Sequence, residues 1–176
     1  MEFDEMIELL NREDFNQVFK IMEESFPSDE YRSYEGQKAL LNHPDYSLRV
    51  LYNEEKKVKA FIASWEFKTF IYVEHFAVNA SYRNKGLGAI VLNQQVKLSD
   101  KMVCLEVEAF DTDINKRRIG FYERNNFHLN EYPYVQPAMA EGKKEIPLFI
   151  MTLDRAVDED RFMEIKNTLY KEVYKI

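Results

Sequence analysis

Cysteine occurs once, at Cys104, which excludes an internal disulfide framework and fits a reducing compartment. Glycine and proline number five each, too few for a flexible linker or a low-complexity tract. No apolar run approaches the roughly 20 residues that span a bilayer. The opening Met1-Glu2-Phe3-Asp4-Glu5 is acidic where a secretion signal is basic. The expectation is a cytoplasmic protein with no membrane partner. Excess positive charge is also missing: a net charge of −7 argues against nucleic acid, because phosphate contacts dominate that affinity. What is present is a chain of 176 residues, 45% of them apolar, enough for a single domain over 1–176 with a core of its own.

The most informative stretch is Arg83-Asn84-Lys85-Gly86-Leu87-Gly88-Ala89, between a strand-like run (Ile71 to Val78) and a helix-like run (Ala89 to Leu98). Two glycines let the backbone approach a ligand closely. The helix that follows directs unpaired N–H groups and its positive dipole end at whatever sits there. That is an anion cradle, and Arg83 and Lys85 beside it point to phosphate. An ordinary tight turn is the competing reading. A dinucleotide fingerprint needs a third glycine where Val91 stands, and a Walker loop needs Gly-Lys-Ser/Thr where Gly88-Ala89-Ile90 stands. Neither pattern fits.

Along the chain, Glu5 to Leu10 reads as a first strand. Asn11 then caps a helix carrying Phe15, Val18, Phe19, Met22 and Phe26. Ser28 or Asp29 starts a second short helix through Tyr34, Leu40 and Leu41. Strands follow at Tyr46 to Tyr52, Val58 to Lys68 and Ile71 to Val78, then at Met102 to Phe110, where Val103, Leu105, Val107 and Ala109 alternate with Cys104, Glu106, Glu108 and Phe110. Thr112 or Asp113 caps a helix through Tyr122. Strands at Phe127 to Glu131 and Ile146 to Leu153 are separated by a loop with Pro133 and Pro137. A last helix presents Phe162, Ile165, Leu169, Val173 and Ile176 on one face, either to cover the protein's own sheet or as a homodimer contact. This order predicts a mixed α/β protein with the glycine loop at the carboxyl end of a strand, where open sheets bind ligands.

Arg83, Gly86 and Gly88 match the Arg/Gln-x-x-Gly-x-Gly/Ala pattern of the GCN5-related N-acetyltransferases, and the chain resembles that family in two further blocks. Glu74-His75-Phe76-Ala77-Val78 is similar to the family's strand ending in Ala-Val. Arg117 to Phe127 is similar to its helix with Tyr122, although Arg118 replaces an Ala and Asn126 a Gly. Asn tolerates left-handed backbone better than other residues with a Cβ. The resemblance covers about residues 3–153 and leaves 154–176 as a helical extension. It implies a central mixed sheet of six to seven strands flanked by helices, acetyl-CoA as donor, and a primary amine of a small molecule or peptide as acceptor.

It also implies residue roles. The main chain of Phe76, Ala77 and Val78 pairs with the pantetheine arm. Arg83, Asn84, Lys85, Gly86, Leu87, Gly88 and Ala89 hold the diphosphate, with Asn115 and Tyr122 as further cofactor contacts. Tyr122 gives a proton to the departing sulfur. Glu74 and Glu108 are the candidate bases, Glu106 is a more distal one, and His75 is set aside as a core or edge histidine pointing away from Glu74. Glu30, Tyr31, Tyr34 and Tyr132 are placed at the acceptor, with the acids Glu23, Glu24, Asp29, Glu30 and Glu35 suggesting a cationic one. The competing reading is a non-catalytic acyl-CoA sensor or interaction module.

Other chemistries fit less well. Cys104 lies in an alternating strand with no activating His, so it reads as a core thiol. Asp111-Thr112-Asp113-Ile114-Asn115 begins like a calcium loop but has Lys116 at the glycine position and Tyr122 at the bidentate glutamate position. No metal is expected.

Overall fold

The computed structural model describes residues 5–176; the expected core boundary at Phe3 lies outside the described residues. Two compact units are present, one running to Lys101 and the other Met102–Ile176.

The first unit carries four antiparallel strands in sequential order: β1 (Glu8–Leu9), β2 (Tyr46–Tyr52), β3 (Val58–Glu66) and β4 (Phe70–Val78). Helices α1 (Phe15–Ser25) and α3 (Leu87–Val96) both pack against β3 and β4. Cover of this kind buries β3 almost throughout, from Val58 to Trp65, so it reads as a continuous apolar run rather than an alternating one. The inward face of α1 consists of Phe15, Val18, Ile21 and Met22, three or four residues apart as helix geometry requires.

Several boundaries differ from expectation for local reasons. The first strand keeps only Glu8–Leu9, because Asn11 caps a 3-10 turn at Arg12–Asp14, and α1 starts after it. The second expected helix is split. Ser28–Glu30 is one 3-10 turn, Tyr31 is extended, and Ser33 caps the short α2 (Tyr34–Ala39) by accepting from Gly36 N at 3.1 Å. Helix α3 begins two residues earlier than expected, directly after Gly86.

Strand β4 contains the largest departure. Ala63 pairs with His75 but Ser64 pairs with Val73, so Glu74 is one extra residue, a β-bulge. A bulge interrupts the two-residue alternation and re-aims side chains. The expectation that His75 points away from Glu74 is therefore wrong. Glu74 meets Arg32, while His75 meets Phe26 and Glu30, all from the segment that follows α1.

The second unit has three antiparallel strands in the order β5 (Met102–Glu108), β7 (Ile146–Leu153), β6 (Phe127–Gln136). Helix α4 (Asp113–Arg124) is capped by Thr112 and packs on β5 and β6. Strand β6 runs past the expected end at Glu131, absorbing Pro133 where its register with β7 breaks between Asn130 and Tyr134. Asn126 does take left-handed backbone, with φ 70°. Helix α5 (Glu159–Thr168) continues into a π-helical turn at Leu169–Val173 and packs on β6, burying Phe162, Ile165, Leu169 and Val173. Ile176, expected on that face, is instead exposed.

Seven strands and five α-helices among the described residues make this a mixed α/β protein. Among them no helix is long and apolar enough to cross a membrane.

Candidate functional site

In the first unit the glycine loop follows β4 and ends in α3. Asn84 and Gly86 both have left-handed backbone, with φ 65° and 76°. Gly86 offers no side chain as a cap, and the first helical bond is Ile90 N to Gly86 O at 3.4 Å. The N–H groups of Leu87, Gly88 and Ala89 therefore precede any intrahelical acceptor. A Cβ built on Gly86 would meet nothing within 4 Å, so the space in front of these donors is open. Asn84 and Lys85 are exposed, and the Lys85 ammonium lies 5.7 Å from the centre of the Tyr82 ring. Arg83 turns back: Nε donates to the Val78 carbonyl at 3.1 Å and Nη2 reaches Ser25 Oγ at 3.4 Å. That occupies one carbonyl of the Phe76, Ala77, Val78 set expected to pair with an extended ligand.

Upstream, the bulge gathers a buried polar cluster. Arg32 Nη1 donates to Glu74 Oε2 at 2.8 Å, and Trp65 Nε1 donates to Glu74 Oε1 at 2.7 Å. Gln37 Oε1 accepts from Arg32 N and Nη1 at 2.9 and 3.1 Å. The Glu74 side chain is 2% exposed and that of Arg32 12%. Burial alone would raise the Glu74 pKa, but the Arg32 charge and the two donated hydrogen bonds outweigh it, and the carboxyl is held below its usual range. Burial pushes the neighbouring His75 down, against the pull of Glu74. His75 Nε2 lies 2.7 Å from the Glu30 carbonyl oxygen, its Nδ1 has no partner, and Phe26 packs edge-on at 5.1 Å.

The other residues expected at the acceptor in this unit are packed. The Tyr34 hydroxyl bonds to Asn16, and its ring meets Phe15 and Phe19. Tyr31 stands edge-on to Phe19 at 5.9 Å. Glu30 and Asp29 are half-buried, whereas Glu23, Glu24 and Glu35 are exposed.

The second unit holds the remaining candidates. Tyr122 on α4 is buried against Phe121 and Phe127, and among the described residues its hydroxyl has no hydrogen-bond partner. Burial pushes this phenol up to about 12, with Arg118 pulling the other way, so it holds its proton at neutral pH. Asn115 is buried at the start of the same helix. Its N–H bonds Thr112 Oγ1 at 3.1 Å and its side-chain amide reaches Asp111 at 3.5 Å. Glu108 is half-buried with no side-chain partner among the described residues.

Glu106 differs from its neighbour. It accepts from the hydroxyl of Tyr174 at 2.7 Å and from that of Tyr134, an arrangement that favours its ionised form. Tyr132 stacks on Phe162 at 4.9 Å, with its hydroxyl 3.3 Å from the Val157 carbonyl. Cys104 is buried and its thiol is pushed up by that burial, in keeping with a core role.

Sequence reasoning missed three participants. Arg32 carries no motif, and its partnership with Glu74 depends on the bulge. His75 was misplaced for the same reason. Tyr174 lies 68 positions from Glu106, a separation no periodicity reveals.

The sequence model described as the Acetyltransferase (GNAT) family matches residues 4–127. A Bacillus subtilis (strain 168) protein named as an acetyltransferase, YjbC, is 24% identical over 159 residues, covering 89% of this chain and 80% of its own length. A solved GNAT-family structure from Bacteroides thetaiotaomicron is 30% identical with a TM-score of 0.85, covering 97% of this chain and 99% of that one. Arabidopsis thaliana NAA60 in complex with acetyl-CoA is 16% identical with a TM-score of 0.66, covering 84% of this chain and 96% of that one.

Proposed function

The chain belongs to the GNAT family of acetyltransferases, and from that premise we propose that it transfers an acetyl group from acetyl-CoA to a primary amine of a small molecule or peptide by direct attack. Bound acetyl-CoA would supply the activated acetyl thioester. The observation that carries the reading is the open start of α3, where three main-chain donors face free space behind left-handed Asn84 and Gly86. Such a terminus suits a diphosphate by dipole and by hydrogen bonding together. Release of Arg83 from Val78 would free both its guanidinium and a carbonyl of β4 for the same ligand.

Tyr122 keeps a proton available for a departing thiolate, and its unshared hydroxyl favours turnover over mere binding. Glu74 is committed to Arg32 and Trp65, whereas Glu108 has a carboxylate free to attract an ammonium group. Glu30, Tyr31, Tyr34 and Tyr132 are retained at a cationic acceptor, the phenol rings offering faces rather than hydroxyls. The test is thermal denaturation followed by an acceptor screen. Coenzyme A should raise the melting temperature where ATP and NAD do not. Acetyl transfer should then favour polyamines and basic peptides; turnover confined to neutral or anionic acceptors would remove the cationic site.

A further inference from the structure

The bulge in β4 places two ionisable neighbours, Glu74 and His75, beneath the segment that follows α1. Only one of them is free to receive a proton. Both oxygens of Glu74 are taken, by Arg32 and Trp65. Protonating that carboxylate would break a buried ion pair, and truncating one partner of such a pair commonly costs about 3–5 kcal/mol.

His75 is arranged the opposite way. A carbonyl oxygen only accepts, so the contact with Glu30 at 2.7 Å requires the hydrogen on Nε2. In a neutral ring the lone pair then sits on Nδ1, the atom without a partner. A buried acceptor left unsatisfied is unusual enough to demand a reason. Nearby, Gln37 Nε2 is a buried donor without a partner, and Gln37 is joined through Arg32 to Glu74. An unmet donor and an unmet acceptor in one polar cluster are what an internal water needs.

We propose that His75, through Nδ1 and a relaying water, is the proton acceptor of the acetyl transfer, with Glu74 and Arg32 as the pair that positions it. This rests on the acetyltransferase reading above. One proton leaves the acceptor ammonium, its bonding electron pair stays on nitrogen as the nucleophile, and the proton forms an Nδ1–H bond on His75. The imidazolium is stabilised by the fixed Glu74 carboxylate and the Glu30 carbonyl, opposed by the more distant Arg32 charge. Loss of that proton to solvent restores the neutral ring and accounts for the one proton released per amide formed. An imidazole is also a stronger base than the free carboxylate of Glu108, its ordinary pKa lying about two units higher.

The experiment compares the native protein with His75→Gln and Glu108→Gln, using acetyl-CoA with spermidine and with an alanine-leading peptide as probes. His75→Gln should lower kcat about 10²- to 10⁴-fold, leave the KM for acetyl-CoA unchanged, and abolish the acid limb of the kcat profile. That limb should lie below the ordinary imidazole value in the native protein, and Glu108→Gln should keep it. A His75→Gln enzyme within about threefold of native kcat and with its acid limb intact would overturn the proposal. Coenzyme A binding is followed separately by melting temperature. If coenzyme A leaves the native protein unshifted, the acetyltransferase reading itself fails. Ring-nitrogen NMR of the native protein decides the matter should the variant not fold or neither probe turn over: a neutral Nε2–H tautomer at pH 7 supports it, and an Nδ1–H tautomer or a permanent imidazolium sinks it.

Discussion

Replacing Arg32 by methionine keeps most of the stem and removes the charge that faces Glu74. The carboxylate would retain one donor, Trp65 Nε1 at 2.7 Å, in a side chain only 2% exposed. Breaking a buried pair from one side costs about 3–5 kcal/mol, or about 6–20 °C in melting temperature for a chain of this size. The dependence on pH should also change sign. In the native protein the Glu74 pKa is lowered on folding, so its contribution is present above the unfolded carboxyl pKa and is lost as pH falls through the folded one. Without Arg32, burial dominates and the folded pKa rises above the unfolded value. Folding then takes up a proton, and stability is greatest below the unfolded pKa and declines as pH climbs through the raised one. Urea unfolding of Arg32→Met at about pH 5 and about pH 7 should show the larger deficit at the higher pH. The double variant Arg32→Met with Glu74→Gln should recover most of the loss, because no unpaired charge remains. A single variant within about 1 kcal/mol of native, or a double variant no better than the single, would refute the claim that this pair is a buried, interdependent unit.

Gly86→Ala should destabilise by about 1–2 kcal/mol in denaturant, because φ 76° is strained for any Cβ although space is available; Gly86→Asn should cost less. Tyr122→Phe should leave stability within about 0.5 kcal/mol, because the hydroxyl has no partner among the described residues, yet lower kcat about 10²-fold in steady-state assays. With the phenol at about 12, no basic limb from Tyr122 should appear near neutral pH. Tyr174→Phe removes the 2.7 Å bond to Glu106 and should cost about 1.5–3 kcal/mol by thermal unfolding, as expected of a hydrogen bond to a charged group.

Strands Tyr46–Tyr52 and Ile146–Leu153 were legible at their printed bounds, since alternation and flanking turn residues agree there. The cradle was legible because glycine spacing is a backbone requirement written directly in residue type. Side-chain partnerships were not. Glu74 and His75 looked like opposite-facing neighbours because alternation assumes an unbroken ladder, and a bulge is a property of two strands together. The interruption at Tyr31 likewise depends on what Arg32 and Gln37 find across the cluster, not on local propensity. Glu106 passed for a distal spare because its two phenol donors come from β6 and from beyond α5.

The extra residue in β4 has a consequence for how this gene can change. Before Glu74, every second codon specifies a side chain turned toward the helical layer; after it, the other set does. Losing one codon there would rotate everything downstream by half a pleat, exchanging His75 for its neighbours and delivering the cradle to the wrong side. Lengthening or trimming the irregular stretch at 137–145 would carry no such penalty, so tolerated insertions and deletions should collect there and spare this strand.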